Sequence, residues 1–167
     1  LVVGVEASAV CSHFRGPNDF NRLVEDLRTA TGEPWEFRLE APHTAPFEQV
    51  EALGYVSLVG GEFLIRAGQS SVVICLDPAW YEFCSDQTIR DTTIPAVERI
   101  ARGFGAEEII YGPDFDDEVG DLEHLCHDLR LDVSEIRALL ERTYGESPLV
   151  LVCSESELPR YFWDRVR

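Results

Sequence analysis

The sequence predicts an α+β protein, built as one domain that spans all 167 residues, with three or four helices packed on an antiparallel β meander. Three strand-like stretches, at 55–59, 62–67 and 71–76, follow one another with only short glycine-containing separators. Separators of that length are typical of β hairpins, so neighbouring strands are expected to run antiparallel. Elsewhere apolar residues recur at helical spacing, and 45% apolar with 27% charged residues is ordinary for a globular chain.

The N-terminal part of the chain begins with a predicted strand and a predicted helix. Residues 1–10 alternate as a half-buried strand does. The following helix is predicted between a cap at Asn18 and a stop at Gly32. Its apolar residues are spaced i, i+3, i+4 and i+7, which places them on one helix face. These residues are Phe20, Leu23, Val24 and Leu27.

The next segments are less regular. In residues 34–40 every second side chain is aromatic or aliphatic, which predicts a half-buried strand. Residues 41–54 contain two prolines and little periodicity, which predicts a loop that ends in a helical turn. After the meander, residues 78–85 are expected to leave the sheet.

A further helix and strand are predicted after the meander. The helix covers 92–105, with Pro95 in its first turn. A proline is tolerated there because the amides of the first turn have no acceptor within the helix. A short strand at 108–112 follows it. The buried stripe of the helix is predicted to consist of Val97, Ile100, Ala101 and Phe104.

The C-terminal part is predicted to contain a helix, a strand and a short terminal helix or tail. Asp132 and Glu135 form a D-x-x-E variant of the capping box, and Gly145 ends the helix that they begin. The apolar run 148–153 then predicts a strand, and 157–167 a helix or tail.

Residues 123–128 bring together a glutamate, two histidines, a cysteine and an aspartate, which are side chains that bind metals and activate nucleophiles. If a helix begins at about Asp116, its period turns Cys126 inward and leaves His124 and His127 on an acidic, solvated face. Carboxylates four residues away would then raise the pKa of both histidines. The cluster is therefore interpreted as the wet face of a helix.

The same segment does not predict a metal site or any other cofactor. His124 and His127 are spaced i, i+3 and supply only part of a zinc site. A calcium loop that started at Asp114 would need glycine and glutamate where Val119 and Leu125 stand. The segment therefore lacks the residues that define a zinc site and those that define a calcium loop.

Charge is the strongest compositional feature. The net charge is −17, from 31 acidic residues against 14 arginines and no lysine. Such a field repels nucleic-acid phosphates and anionic membrane surfaces, so direct binding to either is not expected, and it favours a partner with a basic surface. Solubility, or a source that prefers arginine to lysine, would explain the acidity equally well, and charge alone does not separate these readings.

The expected compartment is the cytoplasm. No apolar stretch approaches the roughly 18 residues that a membrane span needs, and the apolar N-terminal stretch lacks the basic region of a signal peptide. The odd number of cysteines contains no C-x-x-C pair, which argues against a disulfide framework. Reduced, structural thiols are therefore expected at Cys11, Cys75, Cys84, Cys126 and Cys153.

A pattern over about residues 55–153 resembles a known family. It runs from a helix ending Leu-x-His-x-Leu through Leu-Asp-Val-Ser and a second helix to Gly-x-x-Pro-Leu before a strand. The matching residues are Leu125, His127, Leu129, residues 131–134, Ile136, Gly145, Pro148 and Leu149, with a looser match at residues 60–62, Leu76 and 97–105. This order resembles the immunity factors of tuberculosis-necrotizing-toxin-like systems. Residues 141–144 depart from the Phe-Leu-Asp typical of that family, and the first 50 residues show no match.

The resemblance implies a small cytosolic α+β protein that binds the enzymatic domain of a secreted toxin and blocks its active site. In that family the toxin hydrolyses NAD, and the immunity factor itself performs no catalysis. The family's motifs carry no functional residue over to this chain.

Two groups of residues are the candidate partner contacts. Acidic residues are candidates because they would face a basic partner, and an aromatic pair because aromatic side chains often anchor interfaces. Taken one by one, the acids fit a solvated helix start better than a partner contact, and the aromatic pair could equally be core. The candidates are Asp114, Asp116, Asp117, Glu118 and Asp121, with Trp80 and Tyr81.

Two other functions remain open at this point. The acids could mimic phosphates and occupy the nucleic-acid-binding surface of a nuclease or DNA-binding protein. Alternatively, Cys84 or Cys126 could act with a histidine as the nucleophile of an enzyme, although Cys84 stands beside an acid, which would raise the pKa of its thiol rather than activate it.

Overall fold

The computed structural model describes residues 5–13, 19–40, 43–114, 121–151 and 157–167. Its strands are β1 (Glu6–Ser12), β2 (Glu36–Arg38), β3 (Val56–Gly60), β4 (Phe63–Ala67), β5 (Ser71–Ala79), β6 (Glu108–Pro113) and β7 (Phe162–Arg165). Its helices are α1 (Phe20–Thr31), α2 (Pro46–Leu53), α3 (Trp80–Ser85), α4 (Gln87–Gly103) and α5 (Val133–Tyr144), with a π-helical turn at His124–Asp128.

The strands form one antiparallel sheet in the order β2-β3-β4-β5-β1-β6-β7 across the described residues. The predicted meander is confirmed, since β3, β4 and β5 pair in sequence order. The N-terminal strand β1 lies between β5 and β6 and is antiparallel to both. The α+β class is likewise confirmed. The described residues contain more helices than the expected three or four, because two short helices, α2 and α3, form where the sequence indicated little regular structure.

One face of the sheet packs against α1, α3 and α4. The predicted stripe of α1 is buried, and so is the stripe of α4. The two helices cross closely at Gly103, where an added Cβ would lie 2.9 Å from Leu27 Cδ2. An aromatic stack runs through this core, with ring centroids 5.6, 5.1 and 6.0 Å apart along Trp80, Phe83, Tyr111 and Phe162.

The other face of the sheet packs against the π-helical turn and α5. Val10, Val73 and Ile110 point to this side and are buried under Leu125 and Ile136. Asp132 caps α5 as predicted, because its Oδ1 accepts a hydrogen bond of 2.8 Å from the Glu135 amide. The small second core therefore depends on the joint between the turn and α5.

The predicted position of Pro95 is wrong. The helix α4 begins at Gln87 because the Asp86 carboxylate accepts hydrogen bonds from the amides of Thr88 and Ile89, at 2.8 and 3.3 Å. Pro95 therefore lies inside α4 rather than in its first turn. Pro95 is exposed, and because it has no N–H group the helix lacks one backbone hydrogen bond at this position.

The predicted strand at 148–153 is also wrong for the part of it that the structure describes, residues 148–151. Leu149 is 94% exposed and Val150 69% exposed. The sheet edge beside β6 is taken instead by β7, in the segment expected to be a helix or tail. Leu151 is buried, and its carbonyl accepts a 2.9 Å hydrogen bond from buried Arg90.

None of the helices in the described ranges has both the length and the apolar character needed to cross a bilayer.

Candidate functional site

Four carboxylates that come from three separate parts of the chain lie at one end of the sheet. Glu6 begins β1, Asp114 follows β6, and Asp121 and Glu123 precede the π-helical turn. The Asp114 amide donates to the Glu6 carbonyl at 2.8 Å, which holds the two strand ends together. We call Glu6, Asp114, Asp121 and Glu123 the acidic rim.

The rim is electrostatically crowded. The pKa of Asp114 is raised, first by partial burial and then by the neighbouring charges of Glu6 and Asp121. Both Glu6 and Asp114 are exposed to solvent. The crowding is relieved on one side, where Arg66 donates a hydrogen bond to Glu123. Asp121 accepts a 2.6 Å hydrogen bond from the His124 amide and so begins the turn.

A half-buried strip of the sheet adjoins the rim. Val59 pairs with Leu64 across β3 and β4, and Leu64 pairs with Cys75 across β4 and β5, so the three side chains point to one face. This is the face that α5 covers farther along the sheet, but here the three residues are only half-buried. We call Val59, Leu64 and Cys75 the open strip.

Cys75 connects the open strip to the rim. Burial is the main reason that the pKa of its thiol is raised, and Arg66 opposes this effect while Glu123, Glu6 and Asp114 add to it. Sequence reasoning missed this arrangement. Strand alternation indicated which residues share a face, but only the register of three strand pairs brings the strip beside Glu6 and Glu123.

Only some of the acids that were predicted to contact a partner belong to the acidic rim. Asp114 and Asp121 both belong to it. Asp116, Asp117 and Glu118 lie outside the described residues.

The aromatic candidates are not an exposed pair. Trp80 is 5% exposed, and its Nε1 donates to the Pro159 carbonyl at 2.8 Å, so the reading of core packing holds for this side chain. The prediction that Trp80 is a surface anchor is therefore wrong, because the stack with Phe83 and the hydrogen bond to Pro159 hold the side chain inside the protein. Tyr81 is half-buried, and its hydroxyl donates to Glu82 Oε1 at 3.4 Å.

The position predicted for His127 is wrong. His127 is 3% exposed, next to equally buried Leu125 and Cys126. A helix of normal period would not bury three consecutive side chains on one face. The π-helical turn, closed by a 3.0 Å bond from the Leu129 amide to the His124 carbonyl, changes the angle between successive side chains and turns His127 inward.

The predicted rise of the His127 pKa is consequently wrong as well. Burial, together with the positive charge of Arg66, lowers the pKa of His127 to about 4. The charge of Asp128 and a hydrogen bond to the backbone of Arg66 oppose this lowering of the pKa but are outweighed. The Tyr55 ring lies 5.0 Å away, centroid to centroid. By contrast, His124 is exposed and pairs with Asp128 at 2.8 Å, as the spacing predicted.

The described cysteines do not resemble activated nucleophiles. Cys11, Cys84 and Cys126 are buried. Burial raises the pKa of Cys11 to about 12 and that of Cys126 further still. A nucleophilic cysteine needs the opposite, an accessible thiol with a lowered pKa. In the ranges that the structure describes, no three His, Cys, Asp or Glu side chains are grouped so that they could hold a metal ion.

No protein-family model and no curated protein matches this chain.

Proposed function

We propose that this protein is an immunity protein, which binds the enzymatic domain of a cognate secreted toxin and blocks it. The observation that carries the proposal is the acidic rim beside the open strip. A charged border next to a half-buried apolar strip is the composition of a protein-binding surface, in which apolar contacts supply affinity and charges supply orientation.

The energetics of the rim favour a binding role. Burial is the main reason that the pKa of Asp114 is raised, and repulsion from the carboxylates of Glu6 and Asp121 adds to it; this repulsion does not help folding. A basic partner surface would remove the repulsion and gain attraction at the same time. The net charge of −17 would accelerate the encounter with such a partner.

The resemblance to immunity factors of tuberculosis-necrotizing-toxin-like systems supports a specific target, a toxin that hydrolyses NAD. The rim and the open strip would then cover the mouth of the toxin's active site. The alternative target is a nuclease or DNA-binding protein whose basic surface the rim would occupy in place of phosphates. Both targets require the same acids and differ in the reaction that is inhibited.

The test is to look for a secreted toxin gene next to the gene of this protein, to coexpress its enzymatic domain with the protein, and to measure binding kinetics. We expect growth rescue with preserved NAD. We also expect the triple variant Glu6→Gln, Asp114→Asn, Asp121→Asn to slow association by about tenfold at low salt, since rim charges act mainly on the association rate.

The matched control is Glu25→Gln, Glu40→Gln, Glu51→Gln. It removes the same charge from exposed positions away from the rim and should retain most of the wild-type rate. Equal loss in both variants would show that only net charge matters. If NAD still falls when the toxin is saturated, the NAD-hydrolysing target is wrong, and protection of nucleic acid in the same cells would identify the alternative. Absence of binding would exclude the proposed function.

A further inference from the structure

A large groove lies at the opposite end of the sheet from the acidic rim. Ser12 and His13, at the end of β1, line one side of it, and β7 with the start of α5 lines the other. Its volume is about 960 Å³. Small-molecule sites occupy roughly 300–1,000 Å³, so the groove is large enough for a ligand of nucleotide size.

The groove concentrates positive charge in a strongly acidic protein. Four of the 14 arginines in the chain line it: Arg102, Arg137, Arg165 and Arg167. The carboxylates that line it with them are Glu107, Glu108 and Asp132. Two of these are already engaged, since Asp132 caps α5 and Glu108 accepts a 2.9 Å hydrogen bond from Trp163 Nε1.

Two of the arginines, Arg165 and Arg167, are available to bind an anion. Arg165 lies over the Trp163 ring at 5.6 Å. Arg102 is already engaged, since it donates a 2.6 Å hydrogen bond to the Arg167 oxygen and forms an ion pair of 3.9 Å with Glu98. Among the described residues, neither Arg165 nor Arg167 has an acidic partner within ion-pair distance.

Arg137 forms the rigid wall of the groove. Its guanidinium stacks on Trp163 at 3.7 Å and is bound to Glu141 at 2.9 Å. Stacking and ion pairing fix the orientation of a side chain that is otherwise flexible, and a fixed guanidinium loses less entropy when it binds an anion. Trp163 thus links Arg137 and Arg165 into one charged surface.

We propose that the groove is a binding site for a small polyanionic molecule whose phosphate or carboxylate groups pair with Arg165 and Arg167. Guanidinium groups bind both kinds of oxyanion through paired hydrogen bonds. The net charge of −17 repels a long nucleic acid, whereas a small anion can enter the groove and contact the arginines directly. This site is separate from the acidic rim and does not depend on the proposed function.

The test is calorimetric titration of the whole chain with tripolyphosphate, ADP and citrate at constant ionic strength. We expect saturable binding of at least one probe with Kd below about 1 mM. Trp163 fluorescence should change in parallel, because Trp35 and Trp80 are buried away from solvent while Trp163 lines the groove. Binding of the phosphate probes alone identifies a phosphate ligand, and binding of citrate alone identifies a carboxylate ligand.

Arg165→Gln and Arg167→Gln should each weaken binding by about tenfold, the effect of losing a hydrogen bond to a charged group. Both variants leave the Arg137 stack intact, so they should fold. Arg38→Gln, at the far edge of the sheet on β2, is the matched control and should bind as the wild type does. If no probe binds at millimolar concentration, or if Arg38→Gln weakens binding as much as Arg165→Gln, the proposal is overturned.

Discussion

The most unusual residue in the described structure is His127. An imidazole buried against Tyr55 and facing the charges of Arg66 and Asp128 stays neutral at physiological pH, because burial and Arg66 both oppose its protonation and outweigh Asp128. In the unfolded chain the same side chain would accept a proton at its ordinary pKa, near 6.5. The difference connects the stability of the protein to pH.

We predict that His127 destabilises the fold progressively as pH falls. Because folding lowers the pKa of His127, the side chain is neutral in both the folded and the unfolded chain above about pH 6.5 and costs no stability there. As pH falls from 6.5 towards 4, the unfolded chain binds a proton that the folded protein does not, and the free energy of unfolding decreases. The shift corresponds to about 2 kcal/mol between pH 7.5 and pH 5. In urea unfolding at these two pH values, His127→Phe should lose less stability than the wild type by about that amount.

His124→Gln is the control for this prediction. His124 is exposed beside Asp128, so this variant removes a histidine from the same turn while the buried His127 stays in place. The carboxylates are the same in all three proteins, so only the difference between them reports on His127. If His127→Phe and the wild type show the same pH dependence, the buried neutral state of His127 is disproved.

At the scale of elements, helix ends determine how closely α2 can approach the turn that holds His127. Gly54 ends α2 with φ of +88°, and a Cβ at this position would lie 2.6 Å from the His127 carbonyl oxygen. Gly32 ends α1 with φ of +74°, but a Cβ there meets nothing within 4 Å. The two glycines therefore share a backbone conformation and differ in their surroundings.

We predict that Gly54→Ala costs about 3 kcal/mol of unfolding free energy and Gly32→Ala about 1 kcal/mol. Both substitutions place a side chain in the left-handed region, but only the first also forces backbone atoms apart. Thermal or urea unfolding of the two variants measures the difference. Equal losses would show that the contact between Gly54 and the turn relaxes without cost.

The elements that could be predicted from sequence are those with a local signal. The periodicity of α1, the glycine-separated strands β3, β4 and β5, and the Asp132 cap each depend on residues close together in the chain. The strand that was missed depends on which of two segments pairs with the edge of the sheet. Residues 148–153 and 162–165 both have apolar residues suited to a strand, and which of them pairs with β6 is decided by packing of the whole sheet.

The candidate site was predictable only in its charge. Asp114 and Asp121 stand out in the sequence as members of an acidic run. Glu6, Glu123 and the open strip join them through register, and register is not encoded by any one segment. In the π-helical turn the hydrogen bond joins residues five apart instead of four. This wider spacing removes His127 from the face on which the sequence placed it.

At the scale of the whole molecule, charge acts against folding. A net charge of −17 on 167 residues gives the compact state an unfavourable self-repulsion that mobile ions screen. The few ion pairs of the described residues are all at least partly exposed to solvent and contribute little, so screening should relieve more repulsion than it weakens attraction.

We predict that sodium chloride stabilises the protein. Raising its concentration from about 20 mM to about 500 mM should increase the unfolding free energy measured in urea by about 1 kcal/mol. The triple variant of the acidic rim, which lacks three of the crowded charges, should gain less from the same salt. A fall in stability with salt would mean that attractive pairs dominate the electrostatics of the folded state.

The acidic rim and the arginine-lined groove lie at the two ends of the same central strands. Glu6 begins β1 and Ser12 ends it, so the two regions are separated by about 20 Å of extended chain. Unlike charges held at that distance form an electric dipole along the strand direction. The field of an approaching cationic surface would exert a torque on this dipole and rotate the molecule so that its carboxylate end leads. The separation of charge along β1 thus selects an orientation before any contact is made.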